Sequence, residues 1–148
     1  MRVISLVWVL TISALVSSCS PSRGPDEPRF STVRLVAGGQ NRGNIGQASL
    51  TAQGAVTGLN VFIGGVPAGV TRPLQVYTFI YAGRCGQLAA QPRFSLNSNV
   101  RANAGNNGWY LNRSVPLSLV ALRAESHALV LRSSPANRSL ELFCGDIE

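Results

Sequence analysis

Leu74-Gln75-Val76-Tyr77-Thr78-Phe79-Ile80-Tyr81 alternates with a period of two: Leu74, Val76, Thr78 and Ile80 on one side, Gln75, Tyr77, Phe79 and Tyr81 on the other. Successive side chains of a strand point to opposite faces, whereas a helix aligns residues three and four apart. Aromatic and β-branched residues fill the octet, the types that pack on a pleated surface. It is therefore expected to be a strand with one face in a core.

Outward from this octet the same pattern recurs in short pieces. Upstream lie residues 32–37, 47–52 and 58–64, the last with Leu59, Val61 and Ile63 on one face. Downstream lie 93–96, 115–122, 128–133 and 140–143. Gly, Pro and Asn separate the runs, as in the turn-prone Gly38-Gly39-Gln40-Asn41-Arg42-Gly43, and no long segment has helical periodicity. Eight short strands joined by turns predict an all-β fold, an antiparallel eight-stranded sandwich or flattened barrel. Residues 97–108, rich in Asn and Gly, read as a mobile surface loop, with a binding loop as the alternative.

The amino end reads differently. Met1-Arg2 is positive, and an apolar run follows from Val3 to Val16. Fourteen residues at helical rise reach about 21 Å, short of the roughly 30 Å hydrocarbon core of a bilayer. That favours the core of a signal peptide over a stable anchor. The run ends Val16-Ser17-Ser18-Cys19, which resembles the lipobox of bacterial lipoproteins. The resemblance implies cleavage before Cys19, diacylglycerol on its thiol and a further acyl chain, palmitate in kind, on the new amine. Two or three chains anchor stably where one is marginal. Ser20, with no aspartate beside the cysteine, points to the outer membrane, on its periplasmic side. The expected organisation is residues 1–18 as signal peptide, 19–29 as lipidated cysteine and Pro- and Gly-broken tether, and 30–148 as one domain.

The chain has 13 arginines, no lysine and six acids; losing Arg2 leaves 12 arginines against six acids, a net charge of +6. The arginines are spread singly, without the clustered basic patch and interleaved aromatics of a nucleic-acid binder, so no nucleic acid is expected as a partner. Attraction to anionic lipid or wall polymer is compatible with the charge but unspecific. With Cys19 lipidated, Cys85 and Cys144 remain as a pair in an oxidising compartment, and a disulfide is the default. A metal site on the two thiolates would need further Cys or His ligands.

Three stretches resemble the copper/zinc superoxide dismutase superfamily. Gly65-Val66-Pro67-Ala68-Gly69 sits like that family's loop after its third strand. Leu74-Gln75-Val76-Tyr77 followed by Gly83-Arg84-Cys85 looks like its ligand strand and disulfide loop. Ala128-Leu129-Val130-Leu131-Arg132 leading to Cys144-Gly145-Asp146-Ile147 looks like its closing strands. The resemblance implies a Greek-key sandwich and the Cys85–Cys144 bridge. It also implies that the copper-ligand positions are occupied by Gln75, Tyr77 and Arg132, and that Glu141 stands where the family has a guiding arginine. His127 is the one histidine of the chain. A redox copper centre needs several imidazoles, so neither metal nor cofactor is expected.

His127 itself, beside Glu125 and Ser126, reads as a turn-edge residue satisfied by backbone; a general base would need a nucleophile or carboxylate placed with it. Asn112-Arg113-Ser114 and Asn137-Arg138-Ser139 match glycosylation acceptors, which carry no weight in a bacterial chain. The resulting expectation is a membrane-anchored cell-envelope lipoprotein, not an enzyme, serving as a structural or binding module with an envelope protein or wall polymer as partner. Its oligomeric state is open. Two alternatives stand beside it: an enzyme with a rebuilt site, and a carbohydrate- or wall-binding module using Trp109, Tyr110, Tyr77 and Tyr81. Exposed aromatics on one face favour the second, and buried ones remove it.

Overall fold

A computed structural model describes residues 29–148. The expected signal peptide, Cys19 and the expected tether up to residue 28 lie outside the described residues. Ten strands are present: β1 (Phe30–Ala37), β2 (Gly46–Gln53), β3 (Val56–Ile63), β4 (Val76–Arg84), β5 (Gln87–Leu88), β6 (Phe94–Ser95), β7 (Asn103–Gly105), β8 (Gly108–Val115), β9 (His127–Ser133) and β10 (Glu141–Ile147). One short helix, α1 (Leu119–Ala124), is the single α-helix among the described residues.

The fold is all-β and antiparallel, but the strand count differs from the expected eight, and two segments take other structures than expected. Residues 115–122 do not form a strand. β8 ends at Val115, Pro116 interrupts the chain, and Ser118 caps α1 by accepting from the Ala121 N–H at 3.3 Å. Leu119 and Leu122, three apart, then bury one face of that helix. Residues 97–108 are not a simple loop either. β7 pairs with the start of β8, matching Asn103 with Tyr110 and Gly105 with Gly108 around Asn106-Asn107. β8 was hidden because Asn112, Arg113 and Ser114 break up the apolar alternation of its buried Leu111 and Val115.

The strands follow the order β5-β4-β9-β10-β1-β2-β3-β8-β7, with β6 also on β4. β1 joins the two halves: Phe30 to Leu35 pair with β2, while Val36 and Ala37 pair with Cys144 and Phe143 of β10. Gly145 lets that corner close, since a Cβ there would lie 2.7 Å from the Arg34 carbonyl oxygen and from Val33. The sheet folds over one core in which Leu50, Leu59 and Leu111 of the first half meet Ile80, Leu129 and Phe143 of the second. Full burial of each such side chain contributes about 1.5–3 kcal/mol. The founding octet behaves as its alternation demands, with Leu74, Val76, Thr78 and Ile80 all at most 2% exposed.

Cys85 and Cys144 form the expected disulfide, with Cα atoms 5.9 Å apart across a separation of 59 residues. The Cys85 N–H also donates to Asp146 Oδ1 at 2.7 Å, so the turn after β4 is tied twice to β10. Beneath it, Tyr81, Ala128, Val130 and Cys144 make a second apolar cluster on the outer side of β4, β9 and β10, with Phe79, Cys85 and Leu88 packed against it.

Candidate ligand-binding face

Alternation fixes what the first half of the sheet shows to solvent. In β3, Leu59, Val61 and Ile63 point inward, which leaves Asn60 and Phe62 outward; in β8, Leu111 and Val115 point inward, which leaves Tyr110 and Asn112 outward. The antiparallel register then aligns these outward residues in rows. Arg34, Gln47, Phe62, Tyr110 and Asn103 form one row across β1, β2, β3, β8 and β7. Thr32, Ser49, Asn60 and Asn112 form the next. Cβ atoms directly opposite lie about 4.5–5.5 Å apart, so each row is a continuous strip of side chains.

Phe62 and Tyr110 are direct cross-strand partners with ring centroids 5.2 Å apart and planes tilted by 45°. Tyr110 is 48% exposed, among the most exposed large apolar side chains described. The rings border a shallow depression of ≈ 240 Å³ whose polar rim is Gln47, Ser49, Asn60 and Asn112. Each amide offers two donors and an acceptor, and the serine one donor with acceptor capacity. No Asp, Glu, His or Arg lines the depression. Residues 29–124 contain nine arginines and no Asp or Glu, so no carboxylate from this part of the chain competes for donors. Such a surface can stack an apolar ring face and hydrogen-bond the hydroxyls around it.

The aromatics singled out from sequence fall on different surfaces. Tyr110 is on this face. Trp109, its neighbour, points to the other side of β8, half-buried against the core, with the Arg72 guanidinium carbon 4.6 Å from its ring centroid. Tyr77 and Tyr81 belong to the second half, Tyr77 half-buried and Tyr81 8% exposed within the outer apolar cluster. Phe62, Gln47, Asn60 and Asn112 were not anticipated. The signal for Phe62 was present in the alternation of 58–64, which placed it opposite Leu59, Val61 and Ile63.

The positions implied by the dismutase resemblance come together only in part. Tyr77 and Arg132 are direct cross-strand partners, and Arg132 in turn faces Glu141 on β10. Arg132 lies with its guanidinium carbon 5.9 Å from the Tyr81 centroid. Gln75 is exposed at the strand edge, bridged to Arg101. Among the described residues no three of His, Cys, Asp and Glu gather as a metal-binding group would.

His127 is buried at the start of β9 with Nδ1 2.9 Å from the Leu122 carbonyl oxygen and 3.2 Å from that of Glu125. Its Nε2 lies 2.8 Å from Arg93 Nη1, which also binds Glu125 Oε2 at 2.5 Å. A permanently charged guanidinium can only donate, so Nε2 accepts and Nδ1–H donates to backbone. Both ring nitrogens are thus engaged, and the imidazole pins α1 to β9. Arg93 was not foreseen as its partner.

Arg113 departs from its strand. It is the direct partner of Leu59 and so points inward, at the sheet edge beside residues 96–99. Its Nη1 donates to the Asn112 carbonyl at 2.8 Å, while Nε and Nη2 are buried without an acceptor from the protein. Desolvation by burial lowers its pKa from the ordinary arginine value.

No protein family, curated protein or solved structure matches this chain.

Proposed function

We propose that this chain is a non-catalytic, lipid-anchored module of the bacterial cell envelope that binds glycan on the outward face of β2, β3 and β8. The observation that carries the reading is the Phe62–Tyr110 pair, adjacent in register and rimmed by Gln47, Ser49, Asn60 and Asn112. A sugar presents apolar C–H faces and a rim of hydroxyls, and an aromatic platform with amide neighbours complements both. Acid–base or nucleophilic chemistry finds few parts among the described residues: the lone imidazole is engaged at both nitrogens, and the described acids Glu125, Glu141, Asp146 and Glu148 all belong to the last 24 residues.

The scaffold is read as a dismutase-like Greek key whose ligand positions hold Gln75, Tyr77 and Arg132. Support comes from connections that leave sequence neighbours unpaired, β3 lying beside β8 while β4 lies beside β9, and from the disulfide between the turn after β4 and the last strand. Anchoring rests on Cys19, and the tether of 19–29 sets the domain off the lipid surface. Cys19→Ala is expected to move the protein from the membrane pellet to the soluble fraction, and unchanged sedimentation would refute lipidation.

Binding is tested by titrating soluble oligosaccharides from peptidoglycan and from outer-membrane polysaccharide against the full-length protein in detergent. Tyr110→Ala is expected to weaken the best of these by about 1–3 kcal/mol, roughly fivefold to 150-fold, by analogy with the loss of a nucleobase's stacking partner. Equal affinity of wild type and Tyr110→Ala, or no binding by either, would remove the reading.

A further inference from the structure

Arg113 stands where the pattern of β8 calls for an apolar side chain. Its neighbours two residues away on the same strand, Leu111 and Val115, are both completely buried, and its cross-strand partner is Leu59. Withdrawing a guanidinium from water is costly unless its N–H groups are satisfied and its charge is paired. One of its nitrogens meets a backbone carbonyl, and the buried Nε and Nη2 meet none. These two nitrogens form one edge of the planar fork, the geometry that engages a carboxylate or phosphate through two parallel hydrogen bonds.

The surroundings have the composition of a site for that edge. Arg113 lines a cavity of ≈ 360 Å³ together with Leu96, Ser98, Asn99, Asn112 and Ser114. The four polar side chains are all able to donate, and none is acidic. The acids described nearest in sequence are Glu125 and beyond; Glu125 is held by Arg93 and Glu148 by Arg84 and Arg123, on the other half of the sheet. No internal counter-ion for Arg113 exists among the described residues.

We propose that the cavity at Arg113 is an oxyanion-binding site, taking one carboxylate or phosphate group on the Nε–Nη2 edge with Ser98, Asn99 and Ser114 supplying further donors. Asn112 borders both this cavity and the depression at Phe62 and Tyr110. The two remain separate sites, since Arg113 points to the inner side of β8 and Phe62 and Tyr110 to the outer, so the anion site does not depend on the glycan reading.

The test uses the full-length protein in detergent with ionic strength held constant by chloride. Inorganic phosphate, acetate and an uncharged oligosaccharide are titrated separately, while the Arg113 Nε–H resonance is followed by NMR. Phosphate, acetate or both are expected to saturate a shift of that resonance, and the tighter of the two identifies the oxyanion. Arg113→Met keeps the apolar stem without the charge and is expected to weaken that anion by at least about tenfold, the loss of one charge-assisted hydrogen bond or more. Arg42→Gln, at an exposed arginine outside the cavity, is expected to leave it unchanged. No saturable shift with either anion, or equal losses in both variants, would overturn the site. If the uncharged sugar binds while neither anion does, the oxyanion site fails alone. If an anion binds at Arg113 and the sugar does not bind, the site stands and the glycan reading fails.

Discussion

The two outer faces of this folded sheet are built from the same alternation and put to opposite ends. Outside β4, β9 and β10, the chain covers its own sheet: Tyr81, Ala128, Val130 and Cys144 are packed under Phe79, Cys85 and Leu88, and a disulfide holds the cover in place. Outside β2, β3 and β8, Tyr110 is 48% exposed beside a half-buried Phe62, and the polar residues around them are amides and a hydroxyl. A covered face adds apolar burial to the stability of the fold, while an uncovered aromatic pair adds little and stays available to a partner. The charges divide similarly, since the four described acids lie in β10, at its end and just before β9, and the first half of the sheet has none.

The largest expected effect falls on the covered face. Cys144→Ala removes a tie closing about 60 residues, which the chain-entropy estimate values at about 4 kcal/mol. Chemical denaturation with and without reductant measures it, and a midpoint indifferent to reductant would mean that the cover holds itself. The comparison sharpens within a single strand. Leu111→Ala, fully buried on the inner side of β8, is expected to cost about 2–5 kcal/mol of stability. Tyr110→Ala, one residue earlier on the outer side, is expected to change stability by about 0.5 kcal/mol or less while abolishing most of the glycan affinity. Thermal melts of both variants decide it. A Tyr110→Ala loss as large as that of Leu111→Ala would show that the ring serves packing and that the two faces are not distinct.

Much of this architecture was readable residue by residue. The octet from Leu74 to Tyr81 carries its own inside and outside, and Leu59, Val61 and Ile63 do the same for β3. β8 escaped because its inward row contains Arg113, and a charged residue at a core position cancels the local signal for a strand. The same substitution that concealed the strand is what makes the oxyanion cavity. α1 escaped because a six-residue helix offers too few turns for periodicity, and its boundary is set by Pro116 and the Ser118 cap. The candidate site was legible only as single aromatics, of which Tyr110 alone lies on the exposed face.

Composition and local pattern determined that the chain is β-rich and stapled between Cys85 and Cys144, because strand periodicity and the supply of thiols are properties of neighbouring residues or of simple counts. Only the tertiary structure decided that Phe62 meets Tyr110, that Arg113 turns inward, and that one sheet face is covered while the other is open. Those facts depend on which strands pair and in what register, and register is settled by contacts between residues some fifty positions apart in the chain rather than by the residues beside them.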